Sequence, residues 1–227
     1  MTPCFSRRFF IIKMKKKTVV SYSIIFVILL LDQWSKMYVK TTFELYEKHE
    51  VFKWFQIVFI ENDGMAWGAT ISDFIPRLSD RLAKLFLTLF RIVAITGIGY
   101  WLYKSLKSNR NHPFIAISLV FAGALGNIID SIFYGLIFTD SRGELAVFFP
   151  EKGYDELFYG KVVDMLHFPL WEGVIYDQVP IIGGRYFSFF DPVFNIADVA
   201  ISVGIFLLLI FNRRSSQNAY TSTGVTQ

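Results

Sequence analysis

Four long apolar stretches dominate the pattern of hydrophobic and polar positions along the chain. They run from about Thr18 to Tyr38, Leu82 to Tyr103, Phe114 to Tyr134 and Phe190 to Phe211. Each has about the 20 residues that an α-helix needs to cross the hydrocarbon core of a bilayer. The pattern therefore predicts an all-α membrane protein with four transmembrane helices.

The connection between the first two spans predicts smaller elements. Residues 52–60 are rich in aromatic and β-branched side chains, and Asn62-Asp63-Gly64 is a turn signal. We therefore expect a small hairpin or sheet at residues 51–70. Residues 74–89 mix charged and apolar side chains, which is typical of an interfacial helix that leads into the second span. Both elements are expected to be extracytoplasmic.

Basic residues predict the orientation of the spans. Lys and Arg cluster before the first span, between the second and third, and after the fourth: Arg7, Arg8, Lys13, Lys15, Lys16, Lys17, Lys104, Lys107, Arg110, Arg213 and Arg214. These three segments lie on one side of a four-span protein, and short basic flanks stay in the cytoplasm. Both termini are therefore expected to be cytoplasmic, and the long connections at about 40–80 and 138–189 external.

The same pattern predicts one membrane domain between two tails. Residues 1–17 form a cytoplasmic N-terminal tail, 18–212 the membrane domain and 213–227 a polar cytoplasmic tail. The sequence leaves open whether translation starts at Met1 or Met14. A cleaved signal peptide is the alternative for the first span, but no small-residue cleavage site follows it.

Composition agrees with this interpretation. The chain has 227 residues, of which 53% are hydrophobic, and this is too apolar for an ordinary soluble domain. The net charge of +4 comes from basic residues at the ends of apolar runs, which argues against nucleic acid as a partner. Cys4 is the only cysteine, and the three histidines have no metal-ligand spacing. We therefore expect no disulfide, metal or cofactor.

Carboxylates within the apolar pattern are the candidate functional groups. Asp198 lies inside the fourth run, Asp130 near the end of the third, and Asp164 in an apolar setting between them. An aspartate at the centre of a transmembrane helix costs about 2.5–3.5 kcal/mol, so such residues usually face a polar cavity and mark function. Asp32 lies about 21 Å along the first span, and Asp198 about 12 Å inward from Phe190. Asp32, Asp130 and Asp198 are expected in the outer half of the membrane, and an aspartate pair at one membrane face suggests acid–base hydrolysis.

Polar neighbours accompany these carboxylates at helical spacing. Asn127 and Asp130 are three residues apart, as are Asn195 and Asp198, so each pair is expected to share a helix face. The asparagines could instead be interhelical hydrogen-bond partners. A stripe of small residues on the third span would let another helix approach closely: Ala122, Gly123 and Gly126.

Simpler interpretations remain open for some of these positions. Asp32 and Lys36 are four residues apart and could form a local ion pair at the end of the first span. Asp164 alone could be a solvated loop residue. For the whole chain, a transporter or channel subunit is the alternative function, although it would predict helices broken at mid-membrane and inverted repeats. A structural subunit would leave the outward clustering of carboxylates unexplained.

Five motifs occur in order along the chain: Asp32-Gln33-Trp34-Ser35-Lys36, Asn62-Asp63-Gly64-Met65-Ala66-Trp67-Gly68, Gly123-Ala124-Leu125-Gly126-Asn127-Ile128-Ile129-Asp130, Val163-Asp164 and Phe194-Asn195-Ile196-Ala197-Asp198. In this order, over residues 18–211, they are specific. The chain resembles lipoprotein signal peptidase, the type II signal peptidase family of bacteria. The resemblance implies a four-helix aspartyl peptidase of the inner membrane with its site near the outer face. Such an enzyme cleaves the signal peptide just before the diacylglyceryl-modified cysteine of prolipoproteins.

The resemblance also implies roles for matching residues. Asp164 and Asp198 match the catalytic aspartates of the family. Residues with supporting or substrate-binding roles match Asp32, Lys36, Asn62, Gly64, Asn127, Asp130 and Asn195. The implied partners are diacylglyceryl-prolipoproteins and the lipid bilayer, without a cofactor, and we expect a monomer.

The chain departs from the family pattern after Asp130. Ser131 stands where the family usually has arginine, and Arg142 or Arg185 is the candidate substitute. An insertion at about 139–159 lengthens the usually short link to the catalytic aspartate.

The insertion makes the first catalytic assignment depend on local context. Asp140 and Asp155 are rivals of Asp164, but Asp140 lacks apolar flanks and Asp155 sits among other acids. With either pairing the chemistry is the same. Two close carboxylates share one proton, so that the ionised one activates a water and the protonated one assists the scissile carbonyl, without a metal or covalent intermediate.

Overall fold

The computed structural model describes residues 3–63, 79–108, 113–169, 171–178, 184–189 and 192–222. In chain order, the elements are α1 (Pro3–Thr42), β1 (Lys48–Phe52), β2 (Phe55–Asn62), α2 (Asp80–Lys107), α3 (Phe114–Ile137), β3 (Val162–His167), β4 (Trp171–Val174), β5 (Tyr186–Phe189), β6 (Val193–Phe194) and α4 (Ile196–Ser222).

The four helices carry the four spans. The segments with the length and hydropathy to cross a membrane are Met14–Thr42, Asp80–Lys107, Phe114–Ile137 and Ile196–Arg213. Half of the residues in the apolar window of the α3 span are buried, against 11% to 17% in the windows of the other three spans, so α3 is the most enclosed of the four spans. This architecture, together with the small antiparallel sheet, confirms the predicted fold class. Residues 74–78 of the expected interfacial helix lie outside the described residues, and the chain from Asp80 belongs to α2.

The bounds of the fourth span differ from the prediction. The helix begins at Ile196 and not at Phe190, because Val193–Phe194 pair with β3 as a strand. Asp198 therefore lies in the first turn of α4, about 3 Å along the helix axis. The expectation that Asn195 and Asp198 share a helix face is wrong, because Asn195 precedes the helix.

The chain forms two compact units. The first comprises Met1–Gln33, Leu89–Ile128 and Ile196–Gln227. Its described residues are helical except Ser108 and Pro113, which lie in the connection between α2 and α3. Within this unit, a Cβ atom on Gly123 would collide with the Ala197 carbonyl oxygen. The small side chains of α3 therefore permit close approach of α4, as the sequence predicted.

The second unit comprises Trp34–Thr88 and Ile129–Asn195 and contains the six strands found among the described residues. Four strands form an antiparallel sheet in the order β1-β2-β3-β6, and β4 pairs with β5. The described part of the element expected at 51–70 overlaps the β1–β2 hairpin of this sheet, which begins at Lys48 and turns at Lys53-Trp54. The predicted turn at Asn62-Asp63-Gly64 begins where β2 ends, and Gly64 lies outside the described residues. An apolar core packs beside it: Val39, Phe43, Phe59, Tyr134, Phe138, Ala146, Val163 and Met165.

The insertion at 139–159 folds back onto the end of α3. The last carbonyl groups of a helix have no partner within the helix. Here two of these carbonyls, those of Gly135 and Ile137, accept the backbone N–H groups of Asp155 and Phe149 at 2.9 and 2.8 Å. Three further N–H groups donate nearby at 2.9–3.1 Å: Tyr154 to Phe138, Phe158 to Ile132 and Gly160 to Ser131. The insertion is thus hydrogen-bonded into the second unit.

Candidate functional site

Asp198 is positioned by an asparagine within the first unit. Its Oδ1 atom accepts a hydrogen bond from Asn127 Nδ2 at 2.8 Å, which joins α4 to α3. The Asp198 side chain is partly exposed. One oxygen is thus oriented by an amide while the side chain is only partly covered by protein.

Asp32 caps the helix that carries Asp198. Its Oδ1 atom accepts the Ala197 backbone N–H at 2.9 Å, and its side chain is fully buried. An N–H group in the first turn of a helix has no partner within the helix, so a carboxylate there is stabilising. A Cβ atom on Gly126 would lie 2.6 Å from Asp32 Oδ2, so glycine gives Asp32 its room. The start of α4 is thereby held to α1.

Asp164 lies in the second unit, on the central strand β3. Its Oδ1 accepts a hydrogen bond from Asn195 Nδ2 at 2.8 Å, and its Oδ2 accepts one from Asn62 Nδ2 at 3.3 Å. Asn195 also donates to the Val163 carbonyl at 3.3 Å. The Asp164 side chain is buried, which excludes the interpretation as a solvated loop residue. Two amides therefore fix this carboxylate from both sides.

Asp130 forms a buried ion pair in the same unit. Its Oδ2 atom lies 2.7 Å from Lys36 Nζ, and neither side chain is exposed. Arg142 and Arg185 are both exposed and do not take the place of the family arginine at Asp130, where the cation is Lys36.

The rivals of Asp164 are in different settings. Asp140 is exposed and accepts the backbone N–H of Arg142 at 3.1 Å. Asp155 forms an ion pair at 3.4 Å with Arg81, whose side chain is 53% exposed. Neither is held by amides in a buried position as Asp164 is. Gly64, the remaining site residue expected from the sequence, lies outside the described residues.

Sequence reasoning missed a buried polar cluster in the second unit. The Glu61 carboxylate contacts Lys40 Nζ, lies 3.0 Å from Lys161 Nζ and is 2.8 Å from Ser141 Oγ. Burial alone would raise the pKa of Glu61, but the two lysines outweigh it and lower that pKa. The sequence contained one indication of this cluster. Lys40 follows Lys36 by four residues, so both lysines lie on the same face of the first helix.

We expect Glu61→Gln to destabilise the fold by about 3–5 kcal/mol at neutral pH, because Lys40 would be left buried without its counter-charge. A lowered pKa means that the stabilisation by Glu61 is present above its unfolded pKa and is lost as pH falls through the folded value. Unfolding in detergent should therefore show weaker acid dependence in the variant than in the parent. Glu144→Gln, at an exposed position, is the matched control, and equal melting of both variants would contradict the prediction.

Among the residues that the structure describes, no group of three His, Cys, Asp or Glu side chains could hold a metal ion. The described site consists of carboxylates oriented by amides. Such groups can exchange protons with water and hydrogen-bond a carbonyl.

Comparison with known proteins gives one consistent result. The family model described as signal peptidase (SPase) II matches residues 24–213. A lipoprotein signal peptidase of Porphyromonas gingivalis is 47% identical over 83% of this chain and 80% of its own length. That of Amoebophilus asiaticus is 33% identical over 94% of this chain and 87% of its own length.

Two solved structures share the fold. Both are described as bacterial membrane enzymes studied by the in meso method, at 2.3 Å and 1.9 Å resolution. The first has a TM-score of 0.55 at 24% identity and covers 88% of this chain and 90% of its own. The second has a TM-score of 0.52 at 24% identity, with coverages of 84% and 90%.

Proposed function

The chain belongs to the signal peptidase II family of bacterial membrane peptidases, and on this premise we propose that it is an aspartic endopeptidase of diacylglyceryl-modified prolipoproteins. It cleaves the signal peptide just before the lipidated cysteine. The transporter alternative has no support, since these relatives are peptidases and each of the four spans is one continuous helix.

Asp164 and Asp198 are the proposed catalytic pair. The observation that carries this assignment is that both carboxylates accept 2.8 Å hydrogen bonds from asparagine amides. Amide donors fix the carboxylate plane without adding a charge, so the pair keeps its capacity to share a proton. Asn127, Asn195 and Asn62 are accordingly proposed as positioning residues.

The proposed reaction needs one proton on the pair. Two close carboxylates cannot both ionise cheaply, so one stays protonated and the pair titrates as a unit. The ionised carboxylate removes a proton from water, and the water oxygen attacks the scissile carbonyl carbon. The protonated carboxyl donates a hydrogen bond to the carbonyl oxygen. Collapse of the tetrahedral intermediate breaks the C–N bond, and the leaving amine takes a proton from the pair.

The remaining site residues have supporting roles in this proposal. Asp32 holds the first turn of α4, on which Asp198 lies. Lys36 and Asp130 neutralise each other in the interior of the second unit, and Gly64 continues the motif that begins at Asn62. None of them takes part in proton transfer.

A cleavage assay tests the function directly. The purified protein in phosphatidylglycerol nanodiscs should cut a diacylglyceryl-modified prolipoprotein peptide on the amino side of its cysteine, as read by mass spectrometry. The same peptide without lipid is the control. Equal cleavage of both peptides would contradict the proposed substrate, and cleavage of neither would contradict the proposed activity.

We expect both termini to be cytoplasmic and the site to lie near the outer face, with residues 1–17 and 213–227 as tails of a monomeric membrane domain at 18–212. Reporter fusions after Arg110 and after Arg214 should read as cytoplasmic, because basic flanks are retained inside. Fusions after Asp63 and Gly153 should read as external. A cytoplasmic reading at Gly153 would contradict the outer-face site.

A further inference from the structure

The insertion exposes a run of apolar side chains. Leu145, Val147, Phe148 and Phe149 are 48%, 57%, 38% and 71% exposed. Exposed apolar patches of this kind, when rimmed by polar residues, mark binding surfaces or membrane contacts. The rim is charged and exposed on both sides of the run: Arg142, Glu144, Glu151 and Lys152.

This run, Leu145–Phe149, is held in place by its surroundings. Ala146 is buried in the core of the second unit. Val147 O accepts the Thr139 N–H at 3.1 Å, and the Phe149 N–H donates to Ile137 O at 2.8 Å. The exposure of the neighbouring side chains is therefore fixed by the fold and does not come from a loose loop.

Phe149 adds a backbone observation. Its φ of 54° lies in the left-handed region, which a bulky side chain rarely adopts and glycine adopts freely. The chain keeps a large apolar side chain at this turn although a glycine would fit the backbone better. Such strain is typical of functional positions.

The apolar run continues onto the exposed surface of a membrane span. A groove of about 470 Å³ lies between α1 and the insertion, lined by Trp34, Met37, Tyr38, Thr41, Ala146 and Phe148. Trp34 and Tyr38 are exposed, stack on each other and lie near the end of the Met14–Thr42 span. Trp and Tyr are enriched at this depth, where a span meets the membrane surface.

We propose that Leu145–Phe149 is a membrane-interface anchor which enters the bilayer leaflet in which α1 ends, with a phospholipid acyl chain in the adjoining groove. The charged rim then lies among the headgroups, and the apolar side chains lie in the acyl region. This role depends on the membrane embedding of the chain and is independent of the proposed catalytic pair.

Spin-label accessibility tests the anchor. In a Cys4→Ser background, single cysteines at 147, 149 and 152 carry a nitroxide, in nanodiscs of phosphatidylethanolamine and phosphatidylglycerol. Labels at 147 and 149 should be accessible to oxygen and protected from a water-soluble nickel chelate, like a label at the exposed span residue Phe90. A label at Lys152 should show the reverse.

Other outcomes would overturn the proposal. If the label at 149 is as accessible to the nickel chelate as the label at 152, the run faces water or binds a soluble partner. Dipolar broadening between labels at 149 would show that a second copy covers it.

A second variant separates anchoring from folding. Phe149→Gly relieves the left-handed backbone, so its melting temperature should not fall, whereas the label at 147 should become several-fold more accessible to nickel. Unchanged accessibility at 147 would contradict a role for Phe149 in the anchor.

Discussion

Asp164→Asn and Asp198→Asn should each reduce cleavage of a diacylated prolipoprotein by about 10²–10⁴-fold or more, because an amide keeps the shape of the side chain but cannot act as a general base or acid. Both variants should remain folded and membrane-inserted. For Asp198→Asn we expect little change in melting temperature, because relief of carboxylate repulsion offsets a weakened hydrogen bond from Asn127. Turnover and melting, measured in the same detergent, check both statements.

The controls come from the rival aspartates. Asp140→Asn changes an exposed carboxylate, and Asp155→Asn changes one that forms an ion pair with the exposed Arg81. Both variants should therefore cleave the prolipoprotein as the parent does. Near-normal turnover in either catalytic variant would disprove the pair. Loss of activity in Asp155→Asn with survival of Asp164→Asn would reassign the first carboxylate.

Asp130→Ala should lower the free energy of unfolding by about 3–5 kcal/mol and lower activity with it, because it removes the carboxylate that lies 2.7 Å from the buried Lys36 ammonium. Lys36→Met should have an effect of similar size. The double variant should regain part of the loss, since neither buried charge then remains. Denaturant or thermal unfolding in detergent, combined with turnover, gives the coupling between the two side chains.

This double-variant cycle also separates support from chemistry. If Asp130→Ala melts like the parent and is nevertheless inactive, then Asp130 belongs to the reaction and its supporting role is wrong. If the double variant is no more stable than the single ones, the ion pair is not the main contribution of Asp130.

Much of the fold could be predicted because apolar length is a local property. Four runs of sufficient length identified the four spans, and aromatic and β-branched residues indicated the strand β2. The turn signal Asn62-Asp63-Gly64 did not mark the turn of the β1–β2 hairpin, which lies at Lys53-Trp54. The start of the fourth span was missed because Val193 and Phe194 are apolar in a helix and in a strand alike. Their state depends on pairing with β3, which lies far away in sequence.

The same difference between local and long-range information applies to the residues of the site. The motifs identified the carboxylates and amides, and Asn127 with Asp198 proved to be in contact. Long-range partners were harder to predict, because spacing within α1 could suggest only Asp32 for Lys36 and gave no indication of Asp130 on α3, whose Oδ2 lies 2.7 Å from Lys36 Nζ. Glu61 was missed because its partners come from distant parts of the chain. The catalytic assignment and the orientation remain predictions.

The insertion and the end of α3 depend on each other when segments are exchanged between relatives. Backbone N–H groups of the insertion donate to two carbonyls in the last turn of α3, those of Gly135 and Ile137, which have no partner within the helix. A chimera that trims 139–159 to a tight link would strip these carbonyls of their donors, and each group left buried and unpaired costs about 1–3 kcal/mol. The segment and the helix end are therefore one exchangeable module, so a working graft must carry residues 131–160 as a block.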